Sequence, residues 1–144
     1  MARRPKRSTR VRSAPCPCGL PAPYDDCCGS LHTGRTRATT AEQLMRSRYS
    51  AFVLRDAAYL RRTWSVASRP GTVPFVDDLR WTGLDILGHT GGSAFHTEGT
   101  VEFCAHFTLA GKPGEHRENS AFLRIEGDWF YDRAVVEPSR AVSP

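Results

Sequence analysis

Cys16-Pro17-Cys18-Gly19 and Asp26-Cys27-Cys28-Gly29 hold four of the chain's five cysteines within thirteen residues, spaced C-x-C-x8-C-C. Four thiolates on so short a segment can close a tetrahedral shell around one Zn²⁺, with bonds of roughly 2.3 Å. Pro17, Gly19 and Pro21 keep the backbone out of helix, and Gly19 and Gly29 are read as positive-φ positions of a tight knuckle. Two other uses of the cluster compete with zinc. A disulfide framework requires an oxidising compartment. A redox pair is disfavoured because C-x-x-C is absent. The reading is one structural zinc, liganded by Cys16, Cys18, Cys27 and Cys28, with no position left for a substrate water.

Moving outward, residues 1–13 carry Arg3, Arg4, Lys6, Arg7, Arg10 and Arg12 without an acid, so against a formal charge of +5 the remainder carries −1. Such an arm is expected to be disordered alone and able to meet phosphates or an acidic partner. It lacks aromatics to stack on bases, which weakens a single-strand nucleic-acid role. No apolar segment follows the charged amino-terminus as in a signal peptide, and no run is long enough to span a membrane, so an oxidising compartment is not expected.

The expected organisation is a basic arm (1–13), a zinc knuckle (14–31), a linker through His32 to Ala38, a folded body (39–136) and a disordered tail (137–144). Thr39-Thr40-Ala41-Glu42 reads as a capping box with Thr39 as the cap. A helix is predicted over about Ala41 to Leu54, its apolar face formed by Met45, Tyr49, Phe52 and Val53. Asp56 breaks it or caps a second short helix containing Tyr59, Leu60 and Trp64, with Arg61 and Arg62 on the wet side. After a loop from Ser65 to Pro74 the period changes. Leu79–Leu87 reads as a strand bulged at Gly83, Gly91-Gly92 as a turn and Thr97–Leu109 as an alternating strand with Val101, Phe103, Ala105 and Phe107 on one face. Gly111–Gly114 reads as a hairpin turn, followed by a strand through Ser120, Phe122 and Arg124 and a last one over Trp129–Val136. Helices followed by antiparallel strands make an α+β order.

The cysteine segment, with Tyr24 and Asp25-Asp26, resembles the SEC-C motif, a zinc-binding segment. Leu44-Met45-Arg46-Ser47-Arg48-Tyr49-Ser50-Ala51-Phe52 is similar to the signature of the YchJ-type proteins, as are Trp64, the Glu118-x-Ser120-x-Phe122 strand and the Trp129-x-Tyr131 pair. The resemblance covers about residues 14–136. It implies a zinc knuckle followed by a nuclear transport factor 2-like (cystatin-like) domain, a curved antiparallel sheet packed on helices around a conical pocket, in a bacterial cytoplasmic family without an established activity. Many members carry a second knuckle after the domain, and none is read here, so a role needing two such sites is not expected.

Catalysis in such a pocket needs a base with a shifted pKa and an electrophilic partner. The candidates are Tyr49, Glu102, His106, Glu118 and Tyr131. Glu102 and His106 share a strand face but lie roughly 13 Å apart, too far for a hydrogen bond, and that face is expected to be wet. Arg46 and Arg48 project about 200° apart on the helix, so one is expected to point inward and pair with Glu118. Cys104 reads as a small buried hydrophobe. Since residues 14–31 offer little apolar surface beyond Leu20, Tyr24 and Leu31, the knuckle is expected to need its metal while the body keeps a separate core.

These residues predict a non-enzymatic zinc adaptor that contacts a protein or ribosomal partner through the knuckle. A small-molecule-binding or enzymatic pocket is the alternative, and nucleic-acid binding by the arm is a third. An open cavity with converging polar groups, against a filled core, separates the first two.

Overall fold

A computed structural model describes residues 14–135; the basic arm, the tail and Val136 of the expected domain lie outside the described residues. A single 3-10 turn, Tyr24–Asp26, leads into a one-turn helix α1 (Cys28–His32). The long helix α2 (Ala41–Leu54) and a short α3 (Ala57–Arg62) follow, then β1 (Leu79–Gly91), β2 (Glu98–Leu109), β3 (Lys112–Ile125) and β4 (Asp128–Ala134). The strands form an antiparallel meander, β1-β2-β3-β4, with α2 packed against β1, β2 and β4.

Helix α2 spans the predicted Ala41–Leu54, but its cap stands one residue later than the Thr39 of the capping reading. Thr40, in extended conformation, is the cap, and its hydroxyl accepts from Gln43 N. Gln43 Oε1 reaches back to the Thr39 N–H, so the box is Thr40-x-x-Gln43 and leaves Glu42 free to pair with Arg46. At the far end Arg55 turns left-handed at φ 58° and its N–H closes onto Ala51 and Phe52 carbonyls. Asp56 caps α3 by accepting from Tyr59 N. Trp64 falls outside α3. Its segment instead runs beside β4, with Tyr131 N–H donating to Thr63 O and Ser65 N–H donating to Tyr131 O.

β1 continues beyond Leu87 through Gly91, with register breaks at Thr82, as read from Gly83, and at Leu87. Such bulges curve a sheet, which here bends over α2. The turn between β2 and β3 is tighter than Gly111–Gly114. Ala110 (φ 52°) and Gly111 (φ 85°) form a two-residue turn, so Lys112 already pairs with Leu109 and Gly114 with Phe107. Glu126 and Gly127 make the same kind of turn before β4.

The separate cores expected for knuckle and body are one. Cys16, Cys18 and Cys28 belong to the same buried cluster as Leu44, Met45, Tyr49, Val101, Phe103, Phe122 and Trp129. A second cluster joins Leu31 to Ala51, Tyr59 and Leu60. The knuckle therefore gains its apolar contacts from α2 and the sheet, which local composition did not reveal. Fully burying side chains such as Phe122, Leu60 and Val101 contributes about 1.5–3 kcal/mol each.

Candidate functional site

The cysteine segment is held by a short ladder of backbone bonds. Gly19 N–H donates to Cys16 O and Cys27 N–H to Tyr24 O. Gly19 has φ 94°, a conformation that favours glycine. Gly29 is glycine for a different reason from the one read in the sequence. It lies within α1, and a Cβ there would stand 2.7 Å from Tyr24 O. The four Sγ atoms all lie within 4.8 Å of one another, with Cys18 and Cys27 at 3.7 Å. Burial, then the neighbouring sulfurs Cys16 and Cys18, push the Cys27 thiol up to about 12. The bonds to Cys16 and Cys18 raise the Cys28 thiol further. Hydrogen bonds from Cys18 and Cys28 instead hold the Cys16 thiol well below its ordinary value, and four soft donors this close together fit a divalent metal, which would hold all four as thiolates.

Around the sulfurs stands a set of polar supports from α2. Ser50 Oγ lies 3.7 Å from Cys16 Sγ, and Arg46 Nη1 donates to Cys18 O at 3.0 Å while its Nε donates to Glu42. His32, read as linker, is the link that sequence reasoning missed. Its Nε2–H donates to Ser47 O at 2.8 Å, which leaves Nδ1 to accept from Tyr24 OH at 2.7 Å. Burial raises the Tyr24 phenol, keeping that proton in place. Supports of this kind fix ligand orientation in metal sites.

On another face of α2 lies a cavity of about 470 Å³ between helix and sheet, lined by Met45, Arg48, Tyr49, Trp81, Phe103 and Phe107 among others. Its polar wall is built by residues from four parts of the chain. Arg48, 4% exposed, donates through Nη1 to Leu60 O and to Thr63 Oγ1, both at 2.8 Å. Its guanidinium also lies 4.9 Å from the Trp64 ring centroid and 4.7 Å from that of Tyr131. Burial lowers the Arg48 pKa to about 10, which still leaves it charged at neutral pH.

The expected ion pair between Glu118 and an arginine is replaced by a different arrangement. Glu118 Oε2 accepts from Ser120 Oγ at 2.7 Å and Tyr131 OH at 2.9 Å, and Oε1 lies 3.1 Å from His116 Nε2. Burial alone would raise its carboxyl, but the bonds from His116, Ser120 and Tyr131 outweigh it and hold the group below the usual carboxylate range. The same bond raises His116 against the opposing effect of burial. Burial, then the Glu118 charge, raises the Tyr131 phenol. Glu118 is thus an anchored acceptor rather than a poised proton donor. Tyr49, 4% exposed and raised to about 12 mainly by burial, packs edge-on to Trp81. His116 and Ser120 were missed as cavity groups because strand alternation alone does not say which strand face meets a helix.

Glu102 and His106 lie outside this cavity. His106 pairs with Asp85 at 2.8 Å and, more distantly, with Glu115 at 3.8 Å. Cys104 is 6% exposed, buried as read, and its sulfur comes within 4.8 Å of ligand atoms on His106 and Glu115. Among the described residues no helix is long and apolar enough to cross a membrane.

Comparison with known proteins accounts for both the cysteine cluster and the domain that follows it. A UPF0225 protein of Streptomyces avermitilis is 53% identical over 124 residues, covering 86% of each chain. Another from Streptomyces coelicolor is 50% identical, covering 81% of this chain and 91% of its own. The solution structure of a SEC-C motif containing protein from Rhodopseudomonas palustris superposes with a TM-score of 0.74 at 32% identity, over 85% of this chain and 98% of that one. A crystal structure of a SEC-C motif containing protein from Psychrobacter arcticus gives 0.68 at 28%, over 90% and 84%. Residues 40–134, from the cap of α2 to the end of β4, match the family described as the YchJ middle nuclear transport factor 2-like domain, and the chain belongs to that family.

Proposed function

We propose that this protein is a small-molecule-binding module in which the cysteine cluster, holding one Zn²⁺, staples the fold. The observation that carries this reading is the open cavity, where the polar groups of Arg48, His116, Glu118, Ser120 and Tyr131 meet a lining that is otherwise aromatic and aliphatic. Its volume, about 470 Å³, is within the range of small-ligand sites. An all-thiolate set favours zinc, and four protein ligands leave the ion no open position. The sulfurs of Cys16, Cys18 and Cys28 face the core, which suits a staple better than a contact surface. A cytoplasmic setting is the compartment in which free thiols persist to bind metal.

The adaptor reading keeps one specific support, Leu20 on the rim of the knuckle, 41% exposed. A fragment screen on the metal-loaded protein, followed by amide chemical shifts, tests the two together. Shifts centred on Tyr49, Trp81, Phe103 and Tyr131 support the ligand-binding reading. If no fragment perturbs the cavity, that reading fails and the exposed rim becomes the surface to pursue.

A further inference from the structure

We propose that the cavity takes a planar, apolar molecule bearing a carboxylate, with the carboxylate seated on Arg48. This rests on the ligand-binding reading above and adds the chemical class. Arginine carries five N–H donors in a rigid fork. Among the described residues, only the two on Nη1 find acceptors, Leu60 O and Thr63 Oγ1. The donors on Nε and Nη2 have none, in a side chain 4% exposed that lines the cavity. Trp64 and Tyr131 lie against the guanidinium by cation–π contact, which leaves the fork of Nε and Nη2 as the donors for an incoming group, the pair suited to bidentate recognition of a carboxylate.

Glu118 is the sole acid lining the cavity, and it does not occupy this role. Its oxygens are taken by Ser120, Tyr131 and His116, and its attraction is the weakest of the influences on Arg48. Those bonds hold the carboxylate turned to its own partners, and among the described residues no carboxylate lies within ion-pair distance of Arg48, which leaves it as the cation still to be matched. One cation, with no lysine among the lining residues, matches one negative charge better than a phosphate's two. The aromatic walls, Tyr49, Phe52, Trp81, Phe103 and Phe107, select a flat apolar body.

The test compares 2-naphthoate with its uncharged analogue 2-naphthamide by titration calorimetry on the metal-loaded protein. The acid is expected to bind roughly 10-fold or more tighter, the usual strength of a charged hydrogen-bonded pair. In Arg48→Lys, checked for folding by its thermal transition, that preference should shrink while amide affinity changes little. Equal or tighter binding of the amide by the native protein overturns the assignment of a carboxylate and leaves the cavity reading standing. This comparison needs no variant, so it decides the matter even if Arg48→Lys fails to fold. Failure of both probes, together with an empty fragment screen, overturns both readings.

Discussion

Cys16, Cys18, Cys27 and Cys28 come from thirteen consecutive residues, whereas Arg48, Trp64, Glu118 and Tyr131 come from a helix, a connecting segment and two strands. Both groups rest on α2, on faces roughly 160° apart, Arg46 and Ser50 turned to the sulfurs and Arg48 and Phe52 to the cavity. The cysteines meet one another as donors that need a cation. The cavity residues mostly satisfy one another, and the unmatched donors on Arg48 stand out against that background. On the proposed reading, one region is completed by an ion at the level of folding, and the other by a ligand after folding is done.

Metal removal should break this comparison most forcefully. Structural zinc in small domains contributes on the order of 10 kcal/mol, comparable to the whole stability of a domain this size. Because three of the cysteines share a core with Leu44, Tyr49 and Phe103, chelation or Cys28→Ser should collapse the cooperative transition of the whole described fold. Calorimetry with and without chelator checks this. A body that melts unchanged after losing its metal would restore the separate cores expected from composition.

Arg48→Met comes next. It strips the hydrogen bonds to Leu60 O and Thr63 Oγ1 and the cation–π contacts with Trp64 and Tyr131. A loss of about 2–4 kcal/mol is expected by denaturant unfolding, with metal stoichiometry unchanged. Loss of metal in this variant would mean that the two faces of α2 are not independent.

The cavity wall should also carry a pH signature. His116 is raised above its ordinary 6.5 by the bond to Glu118, so its contribution is complete below 6.5 and fades as pH rises through the higher folded value. Glu118 is held below 4.5, so its contribution is complete above 4.5 and fades as pH falls through the lower folded value. Both are present together between 4.5 and 6.5. An NMR titration of the His116 ring should give a midpoint above 6.5 that drops in Glu118→Gln. An unchanged midpoint in that variant would separate the two groups.

What could be read from the sequence follows the same division. The cysteine cluster was legible because its ligands are local, and α2 because its start and period are local too. That one of Arg46 and Arg48 would be buried followed from a helix having an inside; that it is Arg48 did not. Its partners did not, because they depend on Trp64 lying beside Tyr131 in a parallel bridge and on which face of β3 meets the helix. The tie between His32 and Ser47 was hidden for the same reason, since it closes a loop whose path no local signal fixes. The misplaced cap is a different kind of miss. Thr39 and Thr40 each have a plausible partner three residues on, Glu42 and Gln43, and the choice depends on Arg46 recruiting Glu42 to the side of α2 that faces Cys18 O.

That choice yields the smallest and most local effect. Thr40→Ala removes the acceptor for Gln43 N–H and should cost about 1 kcal/mol, seen as a lower denaturation midpoint with an unchanged slope. Thr39→Ala should cost less, because Gln43 Oε1 takes the Thr39 backbone N–H, which the substitution keeps, and only the longer hydroxyl bond of 3.1 Å is lost. Neither residue lines the cavity or supplies a sulfur, so ligand affinity and metal content should stay constant in both variants. The reverse order of effects would move the cap back to Thr39. It would also release Glu42 from Arg46, and with it one of the bonds that orient Arg46 toward the Cys18 carbonyl.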